Sequence, residues 1–544
     1  MNRKQRRAAE KQTAAPAPTL ATLFADALRH HQSGRLNEAE GLYRQILAGD
    51  PRHADSLHLL GLIAYQVRRY DLAVELIGKA IAIDPGQAVF HFNLAIAFQA
   101  EGRPDDAAAG YRRAIGLNPD YLEAHANLGG ILKDQGNLND AALNYRRVVD
   151  LQPANAEAQN ILGGALHQLG RLEEAAACYR QALGVKPDHA LAHNNLGLVL
   201  QDQGRVEDAI AEYRVAACLA PDPAIRWNLA LAQLQNGEYA AGWRDHEWCY
   251  GTALFARREF SAPAWTGESI EGQTILLYAD QGRGDAIQFI RYAPRVKARG
   301  ATVILECQPE LANLFETAPG IDRVIAKGES APPFDFHAAL RSLPHLFGAT
   351  LDTIPAGAPY LNARDGLVAA WRARLTSPGP NIGLVWRGNP SHVHDRKRSV
   401  AAELFAELCA VPGVNWLSLQ KEARPEEIAA LSRHGEIQAN IRDCGPLLTD
   451  WAETAALASC LNLIVTVDTG VAHLAGALGR PAWVLLPFNP DWRWLLHRRD
   501  SPWHPTLRLF RQPAPGDWGA VFRALRQELE DALKTQPIPN FALA

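Results

Sequence analysis

The chain has 544 residues, a formal net charge of −4, 47% hydrophobic and 21% charged residues. That balance is the balance of a soluble globular protein of several domains, and its mild acidity excludes a general nucleic-acid binder. No uninterrupted apolar run reaches the ~18 residues of a membrane span. The seven cysteines are dispersed, with no Cys-x-x-Cys pair and no Cys/His cluster at zinc spacing, which suits buried thiols in a reducing compartment.

The start, MNRKQRRAAEKQTAAPAP, is basic but lacks the apolar core of a secretory signal. Residues 1–19 read as a disordered tail, with weak contact to an acidic surface as the sharper alternative. The expected compartment is the cytoplasm.

From about residue 20 a 34-residue period takes over: Pro51, Pro85, Pro119, Pro153, Pro187 and Pro221 repeat at that spacing. In register with them fall Ala39, Ala73, Ala107, Ala141, Ala175 and Ala209. Four positions on come Tyr43, Ile77, Tyr111, Tyr145, Tyr179 and Tyr213. Gly34, Gly102, Gly136, Gly170 and Gly204 share a column in which Arg68 is the exception. Each unit reads as helix, Gly-containing turn, helix, and a proline that stops the second helix. The pattern resembles the tetratricopeptide repeat over residues 20–250, as six repeats and an atypical seventh from Ala224. The resemblance implies a superhelix whose first helices line a concave face. Asn93, Asn127, Asn195 and Asn228, with Ile161 at the odd position, would then project into that groove. Such an amide ladder can pair with an extended peptide's backbone; alternatively, Asn is simply common at that position.

Composition changes near residue 240, since twelve of the thirteen tryptophans lie from Trp243 onward. Residues 251–272 read as a linker. Then strands alternate with helices, the pattern of a parallel sheet covered on both faces. Strands are predicted at Thr274–Tyr278, Thr302–Cys307 and Arg323–Ala326, with a helix around Pro309–Thr317 and an apolar stretch at Phe334–Leu340. After a connector at Pro355–Pro380 the pattern restarts. Strands fall at Ile382–Trp386, Asn415–Leu419, Leu463–Val467 and Ala482–Leu486. Helices fall at Ala401–Ala410, Glu426–Leu431, Asp450–Ser459 and Val471–Leu478, and Trp518–Leu533 is a closing amphipathic helix. Two doubly wound halves place a ligand between them, beyond the carboxyl ends of the strands.

Three loops carry polar residues there: Gly282-Arg-Gly-Asp285, the basic stretch Arg387–Ser399, and Asp468-Thr-Gly-Val-Ala-His473. Residues 273–535 resemble the GT-B glycosyltransferases of the heptosyltransferase family (glycosyltransferase family 9). Gly284-Asp285, Arg396-Lys397-Arg398 and Asp468-Thr469-Gly470-x-x-His473 carry the likeness. The expected fold is thus an α-helical repeat solenoid followed by an α/β GT-B domain of two Rossmann-like halves. Residues 273–380 would be the acceptor side and 381–544 the nucleotide-sugar side. The whole chain is organised like the protein O-GlcNAc transferases and the flagellin glycosyltransferases. Where the family has Trp-Pro after its basic pair, this chain has Ser399-Val400, and Pro490–His497 replaces a simpler donor-side loop.

The resemblance implies an inverting transferase with Asp285 as general base; the plainer reading of Asp285 is a helix N-cap. Arg396 and Lys397 would hold the donor diphosphate, or be solvated surface. Asp468, Thr469, Gly470 and His473 would bind the nucleotide-sugar, or form a capped strand-to-helix turn. Gly284, Trp492, Arg493 and His497 are further candidates for the donor pocket. No Asp-x-Asp occurs, so no divalent metal is implied, and no cofactor beyond the nucleotide-sugar substrate. The implied partner is a protein acceptor in the repeat groove, with flagellin a candidate. The alternatives are a heptosyltransferase-like enzyme of envelope saccharide synthesis and a non-catalytic repeat scaffold.

Overall fold

The computed structural model describes residues 19–252, 255, 257–390, 395–434 and 437–534. The side chains of Arg396, His434, Ile437 and Gln438, and the basic tail through residue 18, lie outside the described residues. The chain forms two compact units, residues 1–199 and 200–544.

The first unit is built of paired helices, the first of each pair 13 residues long and the second 14, as in Ala54–Gln66 and Tyr70–Ile83. Each repeat's second helix stops two residues before its proline: at Gly49, Ile83, Leu117, Leu151 and Val185. The residue between is held out of the helical region, as a following proline requires (Asn118, φ −135°, ψ 96°). The turns between paired helices pass through left-handed backbone at Gly34, Gly102, Gly136 and Gly170, and Arg68 adopts the same turn at φ 61°. The packing seam depends on absent side chains. A Cβ on Gly129 or Gly163 would fall 2.7 Å from the ring of Tyr145 or Tyr179, and one on Gly61 would fall 2.6 Å from Ile77. Ile77 therefore fills the tyrosine column's role.

The second unit begins with Leu200. Its helices Val206–Leu219, Pro223–Gln235 and Tyr239–His246 continue the repeat pattern, and the last of them is part of the α/β core. Trp243 meets Trp492 edge-on at 5.1 Å between centroids, and the Trp503 indole N–H donates to the Tyr239 hydroxyl at 2.9 Å. That aromatic packing puts the division between units inside the repeat array, not at residue 250. The segment expected as a linker is docked as well: the Trp265 N–H donates to the His337 carbonyl, and the His337 N–H to the Pro263 carbonyl.

Two parallel sheets follow. The first comprises β1 (Thr274–Tyr278), β2 (Thr302–Cys307), β3 (Arg323–Ala326) and β4 (Phe336–Ala339), in the order β3-β2-β1-β4. The second comprises β5 (Asn381–Val385), β6 (Asn415–Ser418), β9 (Ile441–Asp443), β10 (Leu463–Val467), β11 (Ala482–Leu486) and β12 (Leu507–Arg511), in the order β12-β11-β10-β5-β6-β9. A small antiparallel pair, β7 (Arg433–His434) and β8 (Ile437–Gln438), stands apart from both sheets. β10 and β11 are buried at every position, so they read in sequence as unbroken apolar runs. The helix Trp518–Lys534 closes the chain against the six-stranded sheet through Val521, Phe522, Leu525 and Leu529. Among the described residues no helix is long and apolar enough to cross a membrane.

Candidate functional site

Both sheets send their strand ends toward one region. After β1 the chain turns through Gly282 into the helix Arg283–Phe289; after β10 it turns through Asp468 and Thr469 into the helix Gly470–Ala477. The two helix starts meet almost backbone to backbone. A Cβ on Gly284 would lie 3.0 Å from His473 Cδ2 and 3.3 Å from Gly470 Cα, and one on Gly470 would lie 2.7 Å from the Trp451 ring. Both glycines are therefore required by close approach, as carriers of one floor shared by the two halves.

On the first side stands Asp285. It is not the N-cap; Gly282 occupies that position, and the Asp285 carboxylate reaches back to accept from the Gly282 N–H at 3.1 Å. The same carboxylate forms an ion pair with Arg493 from the opposite half. Arg493 also donates through Nη1 to Asp491 at 2.8 Å and through Nε to Gln288 at 2.6 Å, and lies 4.4 Å over the Trp492 ring. Burial works against the Arg493 charge, but Asp491 and Asp285 overcome it and raise its pKa above the ordinary value. Arg493 thus bridges the halves, tying Asp285 and Gln288 of the first to Asp491 of the second.

On the second side Thr469 caps its helix by accepting from the Val471 N–H at 3.3 Å. Asp468 is 9% exposed; burial and then the neighbouring Asp491 push its carboxyl up to about 6, against the pull of Arg398 and Arg493. His473 is buried, stacked on Trp494 at 5.4 Å with an interplanar angle of 16°. Its Nδ1 lies 3.1 Å from His504 Nε2.

The other candidates separate. Lys397 pairs with Asp202 at 2.8 Å on an exposed rim, so the residue that the basic loop brings toward Asp468 is Arg398. Arg398 packs over Gly388, whose added Cβ would fall 2.7 Å from Arg398 Nη2. The Arg396 side chain lies outside the described residues. Trp492, 4% exposed among Trp243 and Trp503, is a core residue rather than pocket lining. His497 is exposed, at φ 54° on left-handed backbone. The ladder amides of the first unit are spent largely on the repeat before their own: Asn93 donates to His58 at 2.8 Å, Asn127 to the Tyr111 hydroxyl at 3.2 Å and Asn195 to Asn160 at 3.0 Å. Asn228, in the second unit, is half-buried. Arg291, Gln288 and His504, which pack beneath the site, were not marked by any sequence motif. Only Arg291, a charge inside the apolar run Ile287–Tyr292, left a signal.

Two parallel-sheet halves meeting at glycine-bearing helix starts define a two-lobed α/β architecture. Residues 362–485 match the family model described as glycosyltransferase family 9 (heptosyltransferase), and residues 24–88, 92–138, 129–170 and 163–204 match tetratricopeptide-repeat models. The chain joins tetratricopeptide repeats to a glycosyltransferase family 9 domain. The matched stretch covers the Asp468–His473 turn and stops short of Asp285. The chain is 28% identical over 316 residues to Protein FlbA of Caulobacter vibrioides (strain ATCC 19089 / CIP 103742 / CB 15), which covers 53% of each. It spans about half the length of that curated relative. Among solved structures it is similar to YrrB, a TPR protein with an unusual peptide-binding site (19% identity, TM-score 0.32, 34% of this chain and 94% of that one). It is also similar to the C-terminal part of a TPR repeat-containing protein from Cytophaga hutchinsonii (14% identity, TM-score 0.36, 41% and 93%).

Proposed function

We propose that the chain is an inverting, metal-independent glycosyltransferase that moves a sugar from a nucleotide-sugar to a Ser or Thr hydroxyl of a protein held by the repeats. The observation that carries this reading is the meeting of the two helix starts, one bearing Asp285 and the other Asp468, Thr469 and His473. The acceptor oxygen attacks the anomeric carbon as Asp285 takes its proton. The bond from that carbon to the diphosphate oxygen breaks, and the nucleoside diphosphate leaves with the electron pair. Arg493, Arg398 and the positive end of the helix Gly470–Ala477 face the charge that develops there, so the reading requires no divalent ion. The repeats supply a peptide groove that a small acceptor would not need, with flagellin one candidate. A second reading is favoured by the description of the matching family: heptosyl transfer to an envelope saccharide. Loss of envelope sugar with unchanged protein glycosylation in a deletion strain would select it.

The test is release of nucleoside diphosphate from a panel of nucleotide-sugars in the presence of EDTA, with product anomers assigned by NMR. One donor should turn over with inversion, and Asp285→Asn should slow it by about 100-fold or more. Turnover of none, or an unaffected Asp285→Asn variant, would sink the proposal.

A further inference from the structure

Beneath the cleft three side chains form a hydrogen-bonded line whose protons have one consistent arrangement. Arg291 is 3% exposed and anchored on all sides: its Nε donates to the Gln288 carbonyl at 2.7 Å, its Nη2 to the Tyr360 hydroxyl at 2.7 Å, and its Nη1 to the Trp503 carbonyl. Nη2 also lies 3.1 Å from His504 Nδ1. A guanidinium has only donors, so His504 Nδ1 accepts and bears no proton. The neutral His504 ring then carries its proton on Nε2 and donates to His473 Nδ1, 3.1 Å away. His473 Nδ1 accepts in turn, which leaves the His473 proton on Nε2, on the ring edge whose Cδ2 faces Gly284.

Neither ring can charge cheaply. Protonating His504 would set an N–H against the guanidinium, and protonating His473 would set two N–H groups against each other. Burial first, then Arg493, Arg291 and Arg398 around His473, hold that ring well below the usual histidine range. Burial, Arg291 and His473 do the same to His504. The facing carboxylates do not reverse this: Asp468 is itself pushed toward its neutral form, and Asp285 and Asp491 are engaged by Arg493. The rings cannot turn freely either, because Trp494 stacks on His473 and the His504 ring lies against Gly476 where any Cβ would overlap it.

We propose that Arg291 and His504 are positioning residues that lock His473 as a neutral Nε2–H donor aimed at the diphosphate of the leaving nucleotide. This rests on the assignment of the Asp468–His473 turn to the donor. His473 hydrogen-bonds the departing oxygens and keeps its proton; it is not a general acid. The tautomer is set from below, through the acceptor-side half, so the donor contact exists only when the two halves are closed on each other through Arg291.

The test is proton-detected 15N spectroscopy of the full chain labelled at histidine, with His473 assigned by its loss in His473→Gln. The lock predicts His473 as the Nε2–H tautomer, unchanged from roughly pH 5.5 to 8, across the range in which an ordinary histidine titrates. Adding whichever nucleoside diphosphate binds by calorimetry should shift its Nε2–H resonance. In His504→Phe the tautomers should mix, and kcat should fall about tenfold or more with KM less affected. A wild-type His473 that is Nδ1–H or imidazolium in this range overturns the proposal even if His504→Phe fails to fold. A bound nucleotide that leaves the resonance unmoved overturns it too, while the donor-site reading survives. If no nucleotide binds, the donor reading fails, and the proposed role of His473 falls with it.

Discussion

His504 lies on Gly476 with no room for a methyl group between them. Gly476 and His473 are one turn apart on the helix Gly470–Ala477, so the glycine is the seat on which the buried imidazole reaches its partner. Gly476→Ala would gain helix propensity but must expel His504 or shift the helix. The expected net effect is destabilisation of about 1–3 kcal/mol, the cost of overpacking a tight interior. Thermal and denaturant unfolding would measure it, and a more stable Gly476→Ala protein would show that the seat is not tight.

Asp468 gives a prediction with a definite sign. Its carboxyl is raised from 3.8 to about 6 by burial and Asp491. The folded protein therefore favours the neutral acid, and ionisation opposes folding as pH rises through 6. Below about pH 4 the group is neutral folded or unfolded, and the penalty is gone. Asp468→Asn should stabilise the protein at pH 7–8 by on the order of 1–3 kcal/mol and make no difference near pH 4. It should weaken nucleotide binding at the same time, the trade expected where a strained site serves function.

His473 and His504 act in the opposite direction. Their folded values lie well below 6.5, so the unfolded chain takes up protons first as pH falls. Stability is fully present above pH 6.5 and drops as pH falls below it, by about 1.4 kcal/mol per pH unit for each ring. Replacing His504 with Phe should remove about half of that slope in urea titrations at several pH values. An unchanged slope would mean that the rings are not held neutral.

Arg493 ties Asp285 to Asp491 and Gln288 through a planar fork. Lysine keeps the charge and loses the fork. Arg493→Lys should leave the protein folded while lowering donor turnover by roughly tenfold or more, because the base is no longer aimed. Retained full activity would reduce Arg493 to a structural residue.

Arg68 takes a left-handed turn that glycine takes in four other repeats of the first unit. An L side chain there costs about 1–2 kcal/mol, partly returned by the unfolded-state entropy that glycine adds. Arg68→Gly should stabilise the repeats by about 0.5–1 kcal/mol, read from the midpoint of urea unfolding.

What could be read beforehand followed from the kind of signal each feature leaves. The repeats were legible because their constraints are local: a proline stops each helix, and a left-handed glycine turns each pair. β1, β2, β10 and β11 were legible because parallel strands buried along most or all of their length read as apolar runs between turns. β12 was missed because Arg508 and Arg511 interrupt it. The aromatic core joining Tyr239 and Trp243 to Trp492 and Trp503 was invisible in sequence, since more than 240 residues separate its halves. That is why Trp492 read as pocket lining. Gly284, Asp285, Asp468 and His473 stood at turns whose pattern is local. Lys397 and Arg398 are adjacent, and only the packing of Arg398 over Gly388 tells which one approaches Asp468. His504 follows a tryptophan in an irregular segment, with nothing nearby in sequence to mark it.

The assignment of this cleft to a nucleotide-sugar is tested by calorimetric titration of ADP, UDP, GDP and CMP into the purified wild type and into Asp468→Ala and Arg398→Ala. Tight binding of one nucleotide, lost in both variants, is the predicted result and names the donor class. Binding of none of the four, or binding that both variants retain in full, would contradict the claim that this cleft takes a nucleotide-sugar.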